Sequence, residues 1–243
     1  LGIGYYAVFS WAASLKARDP ATFKLIWGTP AFLCTILGYG MVAFASYAAS
    51  YWSAPYVERV FDVPKSELGW WIGGPGALAG FLGVILGGRM ADYLRARNPA
   101  GRILVVMFGL LAPIIPLILA FTTTSVTAFY ILHFVMATLT SSALGAAAAT
   151  TQDLVLPRMR GTATATFFLA TTLVGLALGP YLAGYVSSHN GDNLATGMLS
   201  TLIVAPIGLT LLLFAYKLVP QAEATAVERA RAAGEGGLGE SVG

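Results

Sequence analysis

The sequence predicts an all-α membrane protein with six complete transmembrane helices. Of its 243 residues, 57% are apolar and only 10% are charged, and the mean hydropathy is +0.73. Soluble domains carry roughly 25% charged residues, so this composition nearly excludes a soluble globular enzyme. The charged residues also occur in short clusters, separated by long uncharged segments. These segments have the lengths that a bilayer requires.

Five uncharged segments hold the six predicted helices. A bilayer core of about 30 Å needs roughly 20 apolar residues in helical form. Four segments therefore hold one helix each, and the longest holds two, divided at the polar turn Thr-Thr-Thr-Ser of residues 122–125. The predicted spans fall within residues 25–57, 68–88, 103–121, 126–152, 161–191 and 193–216.

The remaining segments complete the predicted organisation. Residues 1–15 are apolar but too short to cross a bilayer, and without an initiator Met or a basic leader they do not resemble a signal peptide. We interpret them as the end of a preceding transmembrane helix, so we expect the chain to be part of a longer protein. Residues 16–28 are a predicted cytoplasmic linker, 29–219 a six-helix bundle, and 220–243 a cytoplasmic tail with a short helix followed by disorder.

The basic residues predict the orientation. Lys and Arg accumulate on cytoplasmic loops, and 12 of the 14 basic residues lie on one side of the predicted topology. That side comprises residues 16–24, 89–102, 158–160 and the chain from Lys217 onward. We therefore expect a multi-pass protein of a bacterial inner membrane with a cytoplasmic C-terminus. The net charge of +3 reflects this topology rather than nucleic-acid binding.

No catalytic pattern is present in the sequence. The single cysteine, Cys34, lies within a span, and neither His133 nor His189 has an obvious partner. Phosphate-binding glycine loops, metal-spaced His and Cys sets and Gly-x-Ser-x-Gly elbows are absent. We therefore expect no enzymatic activity, no metal and no cofactor.

Small residues recur at helical spacing in the second and fifth spans. Glycines three or four residues apart share one helical face and let helices approach closely in lipid. This pattern is consistent both with static packing and with a surface that slides during function. The predicted helix-packing glycines are Gly76, Gly80, Gly83, Gly87, Gly175 and Gly179.

The loop after the second span carries a family motif. Residues 87–99 read Gly-Gly-Arg-Met-Ala-Asp-Tyr-Leu-Arg-Ala-Arg-Asn-Pro, which resembles the Gly-x-x-x-Asp cytoplasmic loop of the major facilitator superfamily. The segment departs from the general pattern at Tyr93 and Arg95. Its Ala-Asp-x-Leu-x-x-Arg-Asn-Pro form is more similar to the spinster-type branch.

Three further segments support the resemblance. Residues 51–59 resemble the Trp-x-Pro segment of the spinster branch, and residues 178–184 resemble its Ser-Pro-Tyr-Leu-x-Gly segment, with Gly179 where Ser is usual. Residues 157–163 resemble the superfamily's Pro-x-x-Arg-x-Thr-Ala entry to helix 11. The resemblance implies that the six spans are helices 7 to 12, the C-terminal half of the major facilitator fold. The partner of this bundle is then a missing N-terminal six-helix half.

The resemblance also implies alternating access, in which two halves rock around a central cavity. Gly88 belongs to the loop motif, and we expect Asp92, Asp153 and Arg160 to form a charge network that holds the cytoplasmic side closed in the outward-open state. The arginines of residues 89–102 have a simpler interpretation as topology determinants beside anionic lipid.

Because helices 7 and 10 line the cavity in this family, the resemblance implies that the first and fourth spans carry the cavity residues. His133 is the one ionisable group deep within a span, and such groups are functional candidates by default, although a structural histidine is an equal alternative. Tyr47 also fits an aromatic belt at the membrane interface. The candidate cavity residues are Thr35, Tyr39, Phe44, Tyr47, His133, Thr140 and Ser141.

An aromatic, apolar cavity with a few hydroxyls favours an amphipathic substrate over a sugar. Spinster-type proteins move sphingoid or lysophospholipid-like lipids, so the resemblance implies such a substrate, with proton coupling. No carboxylate lies deep within a complete span, so a coupling carboxylate would belong to the missing half. A carrier of a small metabolite or drug is the alternative. A membrane sensor or scaffold is less favoured because the tail is too short for a folded domain.

Overall fold

The computed structural model describes residues 2–234, which form helices joined by short turns. Two helices precede the bundle: α1 (Gly2–Arg18) and α2 (Pro20–Trp27). The six long helices are α3 (Pro30–Phe61), α4 (Lys65–Arg97), α5 (Gly101–Ala120), α6 (Val126–Asp153), α7 (Pro157–Ser188) and α8 (Leu194–Ala224). A short helix, α9 (Ala226–Ala232), follows.

Each predicted span corresponds to one long helix. All six are long and apolar enough to cross a membrane, and the polar segment 122–125 interrupts the longest uncharged stretch where the sequence predicted a turn. The predicted six-span, all-helical architecture is confirmed. We call the end of the bundle that carries residues 89–102 the basic end, and the end that carries residues 122–125 the opposite end.

The structure adds helical detail to two of the predicted segments. The linker of residues 16–28 is mostly helical, because Asp19 accepts a hydrogen bond from the Thr22 backbone N–H (3.0 Å) and Pro20 begins α2. The last long helix passes the predicted boundary at 219 and continues through Pro220 to Ala224. The predicted disorder near the C-terminus falls on residues 235–243, which lie outside the described residues.

Several of the long helices contain local irregularities next to prolines or glycines. The π-helical segment Gly69–Gly73 lies within α4 just before Pro75, and Thr171–Leu176 lies within α7 just before Pro180. Helix α5 breaks at Pro113, between Gly101–Leu111 and Ile114–Ala120. Proline lacks the N–H that would continue the ladder, and π-helical turns are frequent at functional sites.

Two apolar clusters hold the bundle together. The cluster at the basic end includes Leu25, Phe32 and Leu154, all nearly fully buried. The cluster at the opposite end includes Phe121 and Phe129, whose rings meet edge to face at 5.5 Å. A cavity lies between α3, α4 and α6, in the part of these helices nearer the opposite end.

Candidate functional site

A cavity of about 340 Å³ separates three of the long helices. Helices α4 and α6 touch near the basic end, where a Cβ at Gly83 or Gly87 would overlap the backbone of Thr138 or Ser142. Nearer the opposite end the two helices diverge, and a Cβ at Gly76 would meet nothing within 4 Å. The cavity residues are Ser46, Ala49, Ser50, Ile72, Gly73, Gly76, Ala77, His133, Met136, Ala137, Thr140 and Ser141.

An aromatic stack borders the cavity toward the opposite end. The indole of Trp71 lies parallel to the ring of Tyr130, with centroids 5.5 Å apart and planes 11° apart. Trp71 directly precedes Ile72 of the cavity wall, and Tyr130 lies one helical turn before His133. The π-helical segment of α4 ends at Gly73, so the irregular turn also forms part of this wall.

Three serine hydroxyls of the cavity wall have no hydrogen bond within the described part of the chain: Ser46 and Ser50 on α3, and Ser141 on α6. Thr140 differs, because its hydroxyl donates to the carbonyls of Met136 and Ala137 at 3.1 Å. Unpaired hydroxyls beside a cavity can donate to and accept from a bound molecule. This wall therefore offers hydrogen bonds without fixed charge.

His133 is the titratable residue of the cavity wall. Its side chain is 7% exposed and lies nearly parallel to Phe129, with ring centroids 5.9 Å apart. Among residues 2–234, neither imidazole nitrogen has a hydrogen-bonding partner. Buried histidines usually have one, so the free nitrogens indicate a group available to a ligand.

The cavity contains three of the seven predicted residues, His133, Thr140 and Ser141. The other four predicted residues on α3 lie elsewhere: Thr35, Tyr39, Phe44 and Tyr47. The Thr35 hydroxyl donates to the Ala31 carbonyl (2.7 Å), and Tyr39 packs on Phe167 at 5.0 Å.

Helix α7 occupies the side of α3 on which Phe44 and Tyr47 lie. A Cβ at Gly179 would overlap the Phe44 backbone, and a Cβ at Gly175 would meet Ala43 and Tyr47. The side of α3 that faces the cavity carries Ser46, Ala49 and Ser50 instead. Sequence reasoning missed these serines because it followed the aromatic residues, and small hydroxyl residues give little signal in an apolar helix.

The predicted charge network is assembled differently. Arg102, at the start of α5, pairs with Asp153 and lies 3.7 Å from Asp92. Arg160 is exposed and makes no ion pair within the described residues. The predicted network is therefore corrected. Arg102 joins the two carboxylates because α5 begins beside the ends of α4 and α6. Arg160 lies instead in the first turn of α7, beyond the turn that follows Asp153. Gly88 faces open space.

Further polar contacts tie the basic end together. Arg95 pairs with Glu223, and the Asn98 amide donates to the Tyr216 hydroxyl at 2.8 Å, so the end of α4 is joined to α8. The Arg229 guanidinium donates to Thr29, to the Leu154 carbonyl and to the Ala222 carbonyl. Apart from the Arg229–Ala222 contact, these contacts join residues more than 70 positions apart, which a single sequence gives no means to pair.

Comparisons with known proteins agree with this architecture. The sequence model of the Major Facilitator Superfamily matches residues 31–237. Protein spinster homolog 1 of Xenopus laevis is 30% identical over 193 residues, covering 74% of this chain and 35% of that protein. An MFS-type efflux pump of Mycolicibacterium smegmatis is 30% identical over 186 residues, covering 74% of the chain and 42% of the pump.

A lipid transporter and a solved structure are also similar. The sphingosine-1-phosphate transporter SPNS2 of Mus musculus is 29% identical over 188 residues, covering 71% of this chain and 34% of that protein. The crystal structure of a bacterial homolog of the human lysosomal transporter Spinster, inward-facing and unoccupied, matches with a TM-score of 0.64 and 26% identity. The match covers 88% of this chain and 52% of that one. The chain thus spans between a third and about half of these relatives.

Proposed function

The chain belongs to the Major Facilitator Superfamily, and from this premise we propose that it forms the C-terminal half of a secondary membrane transporter that works by alternating access. Six membrane-spanning helices make it an integral multi-pass protein. Its partner is an N-terminal six-helix half that packs against this bundle. The basic end faces the cytoplasm of a bacterial inner membrane, in accord with the distribution of Lys and Arg.

One observation carries the proposal: the cavity between α3, α4 and α6 has hydrogen-bonding groups on an otherwise apolar wall. Ser46, Ser50, Ser141 and His133 provide those groups. Two helices of the wall, α3 and α6, are the first and fourth of the bundle, and in this family such helices surround the transport path. A soluble enzyme would not place its polar groups within membrane-spanning helices.

We propose an amphipathic lipid with one long hydrocarbon chain as the substrate, of the sphingoid or lysophospholipid type, moved with protons. The hydroxyls and the imidazole suit a polar head group, and Ile72, Ala77 and Met136 suit an apolar chain. Sugar sites need many amide and acid groups, and this wall has none among its described residues. The names of two similar proteins, a spinster homolog and a sphingosine-1-phosphate transporter, support the same substrate class.

The second candidate is export of a small organic compound or drug. The similarity to an MFS-type efflux pump favours it, as do the apolar side chains of Ile72, Ala77 and Met136 on the cavity wall.

Flux measurements on the full-length transporter in proteoliposomes distinguish the candidates. We expect uptake of a labelled lysophospholipid that depends on a pH gradient, with no uptake of a labelled sugar. Flux of a planar cationic dye without lysophospholipid flux would favour the second candidate. Absence of flux for every compound under every gradient would contradict transport itself.

A further inference from the structure

His133 combines burial with unpaired nitrogens at a cavity. It is 93% buried, since 7% of its surface is exposed, and it lies in the cavity wall with Ser46, Ser50 and Ser141. No hydrogen bond restrains either nitrogen within residues 2–234. A histidine that served packing alone would gain from a partner on its own chain, because an unpaired buried polar group costs free energy.

Among the residues that the structure describes, no charged group lies in the cavity wall that the imidazole faces. The cavity wall from α3 is Ser46, Ala49 and Ser50, and that from α4 is Ile72, Gly73, Gly76 and Ala77. Helix α5 has no titratable side chain between Ile103 and Phe121. On α6 the near titratable residue is Tyr130, and Glu67 lies beyond the Trp71 stack. A proton on His133 would therefore be a buried charge without a counter-charge from this half.

The same cavity is unfavourable for an anion alone. A phosphate or carboxylate placed among these serines would receive hydrogen bonds but would meet no positive charge from the described wall. The free-energy costs of the buried imidazolium and of the buried anion offset each other when both are present, because the two groups form a neutral, hydrogen-bonded pair. Binding of the proton and binding of the anion then favour each other by equal amounts.

We propose that His133 binds a proton together with an anionic head group, so that a singly charged amphipathic anion and one proton enter the cavity as a neutral pair. This inference rests on the proposed transport function and adds the charge of the substrate and the residue that carries the proton. The proton comes from solvent on the side to which the cavity is open, adds to a free imidazole nitrogen, and leaves with the anion on the other side. The serines orient the head group.

Binding to the full-length transporter, measured against pH, tests the pairing. The probes are lysophosphatidylglycerol, whose phosphodiester keeps one negative charge between about pH 5.5 and about pH 8.5, and a monoacylglycerol of the same chain length, which is neutral. Histidine changes its charge in this range. One linked proton weakens anion affinity by up to about tenfold per pH unit as pH rises. We expect that slope for lysophosphatidylglycerol and none for the monoacylglycerol.

Two matched histidine variants assign the linkage. His133→Gln keeps a hydrogen-bonding side chain but cannot take the proton, so its affinity for lysophosphatidylglycerol should be independent of pH. His189→Gln changes the other histidine of this chain, which is exposed and bonded to the Tyr185 carbonyl (2.9 Å), and should keep the slope of the wild type. An unchanged slope in His133→Gln, or a flat profile in the wild type, would overturn the proposal.

Two measurements keep failure of the inference separate from failure of the proposed function. Lysophospholipid flux that persists with a flat pH profile would overturn the role of His133 and leave transport standing, whereas absence of both binding and flux would overturn both. If His133→Gln does not fold, proton uptake by the wild type on binding of lysophosphatidylglycerol tests the pairing of proton and anion instead. We expect close to one proton per bound lysophosphatidylglycerol near pH 7.5, and uptake of none would overturn the proposal.

Discussion

Asp19 has two roles at the entry to the bundle. Its carboxylate accepts hydrogen bonds from the Thr22 N–H and hydroxyl, and it pairs with Arg158 at 2.7 Å. The Arg158 guanidinium lowers the pKa of Asp19 to about 2, aided by Thr22 and opposed by partial burial. The residue therefore joins the linker helix α2 to the start of α7.

Two substitutions separate these roles. Asp19→Asn keeps a capping side chain and removes the ion pair, so we expect a loss of less than about 1 kcal/mol in the free energy of unfolding, because the pair is partly exposed to solvent. Asp19→Ala also removes the cap, which adds about 1 kcal/mol. Thermal unfolding in detergent measures both. Equal losses for the two variants would show that the cap contributes nothing.

The pH dependence of this contact has a defined sign. Because the folded state lowers the pKa of Asp19 to about 2, the stabilisation is complete above the ordinary carboxyl pKa of about 4 and is lost as pH falls toward 2. The difference in unfolding temperature between wild type and Asp19→Asn should therefore shrink in that interval. A difference that persists at the acid end would contradict the assignment.

Arg102 provides a second test at the level of single residues. It joins Asp153, which is 27% exposed, to the more exposed Asp92. We expect Arg102→Gln to lower the free energy of unfolding by about 1.5–3 kcal/mol, the range for hydrogen bonds to charged groups. Arg160→Gln is the matched control and should change it little. Thermal unfolding of the two variants makes the comparison, and a larger loss for Arg160→Gln would contradict the observed network.

At the level of whole helices, glycines determine where helices meet. The predicted packing stripe on α4 is in close contact with α6 at Gly83 and Gly87. A Cβ at Gly80 would lie 4.0 Å from Ser141 Oγ, and a Cβ at Gly76, beside the cavity, would meet nothing within 4 Å. On α7, Gly175 and Gly179 bring the backbone against α3. The same pattern of small residues therefore closes one part of the α4–α6 contact and leaves room for a cavity in the other.

Adjacent glycines on α4 test this packing. A Cβ at Gly87 would overlap the Ser142 backbone, whereas a Cβ at Gly88 would meet nothing within 4 Å. We expect Gly87→Ala to lower the free energy of unfolding by about 1–3 kcal/mol through overpacking. Gly88→Ala should be neutral or slightly stabilising because alanine favours helix. Both variants are compared by thermal unfolding, and equal effects would mean that the α4–α6 contact is looser than the structure shows.

The two spinster-like segments that the sequence identified separately meet in the structure. Trp52 Nε1 donates to the Pro180 carbonyl at 2.9 Å, so the Trp-x-x-Pro segment of α3 contacts the Gly-Pro-Tyr segment of α7. Gly184 lies against the same indole, where a Cβ would come within 2.7 Å of it. This contact fixes α3 against α7 at this point of the bundle.

At the level of the whole molecule, the orientation is open to a direct test. In a Cys34→Ser background of the full-length transporter, Thr124→Cys and Ala96→Cys place exposed thiols at the opposite and basic ends. We expect a membrane-impermeant maleimide to label Thr124→Cys in intact cells and Ala96→Cys only after permeabilisation, because basic loops stay in the cytoplasm. The reverse pattern would invert the proposed topology.

The sequence alone determined the number of spans, their approximate limits and the family, because these depend on composition and local order. Uncharged stretches of bilayer length must form helices that satisfy their own backbone groups, and the loop motif is contiguous. The sequence also singled out three residues of the cavity wall, because polar side chains are rare in an apolar helix: His133, Thr140 and Ser141.

Only the tertiary structure decided which residues surround the cavity and which arginine joins the carboxylates. Ser46 and Ser50 face the cavity because α7 packs on the aromatic side of α3, and Arg102 rather than Arg160 reaches Asp153 because α5 begins beside it. These outcomes depend on the rotation and separation of helices that are distant in the chain. Such quantities are set by side-chain packing between helices, and hydropathy along one sequence contains no record of them.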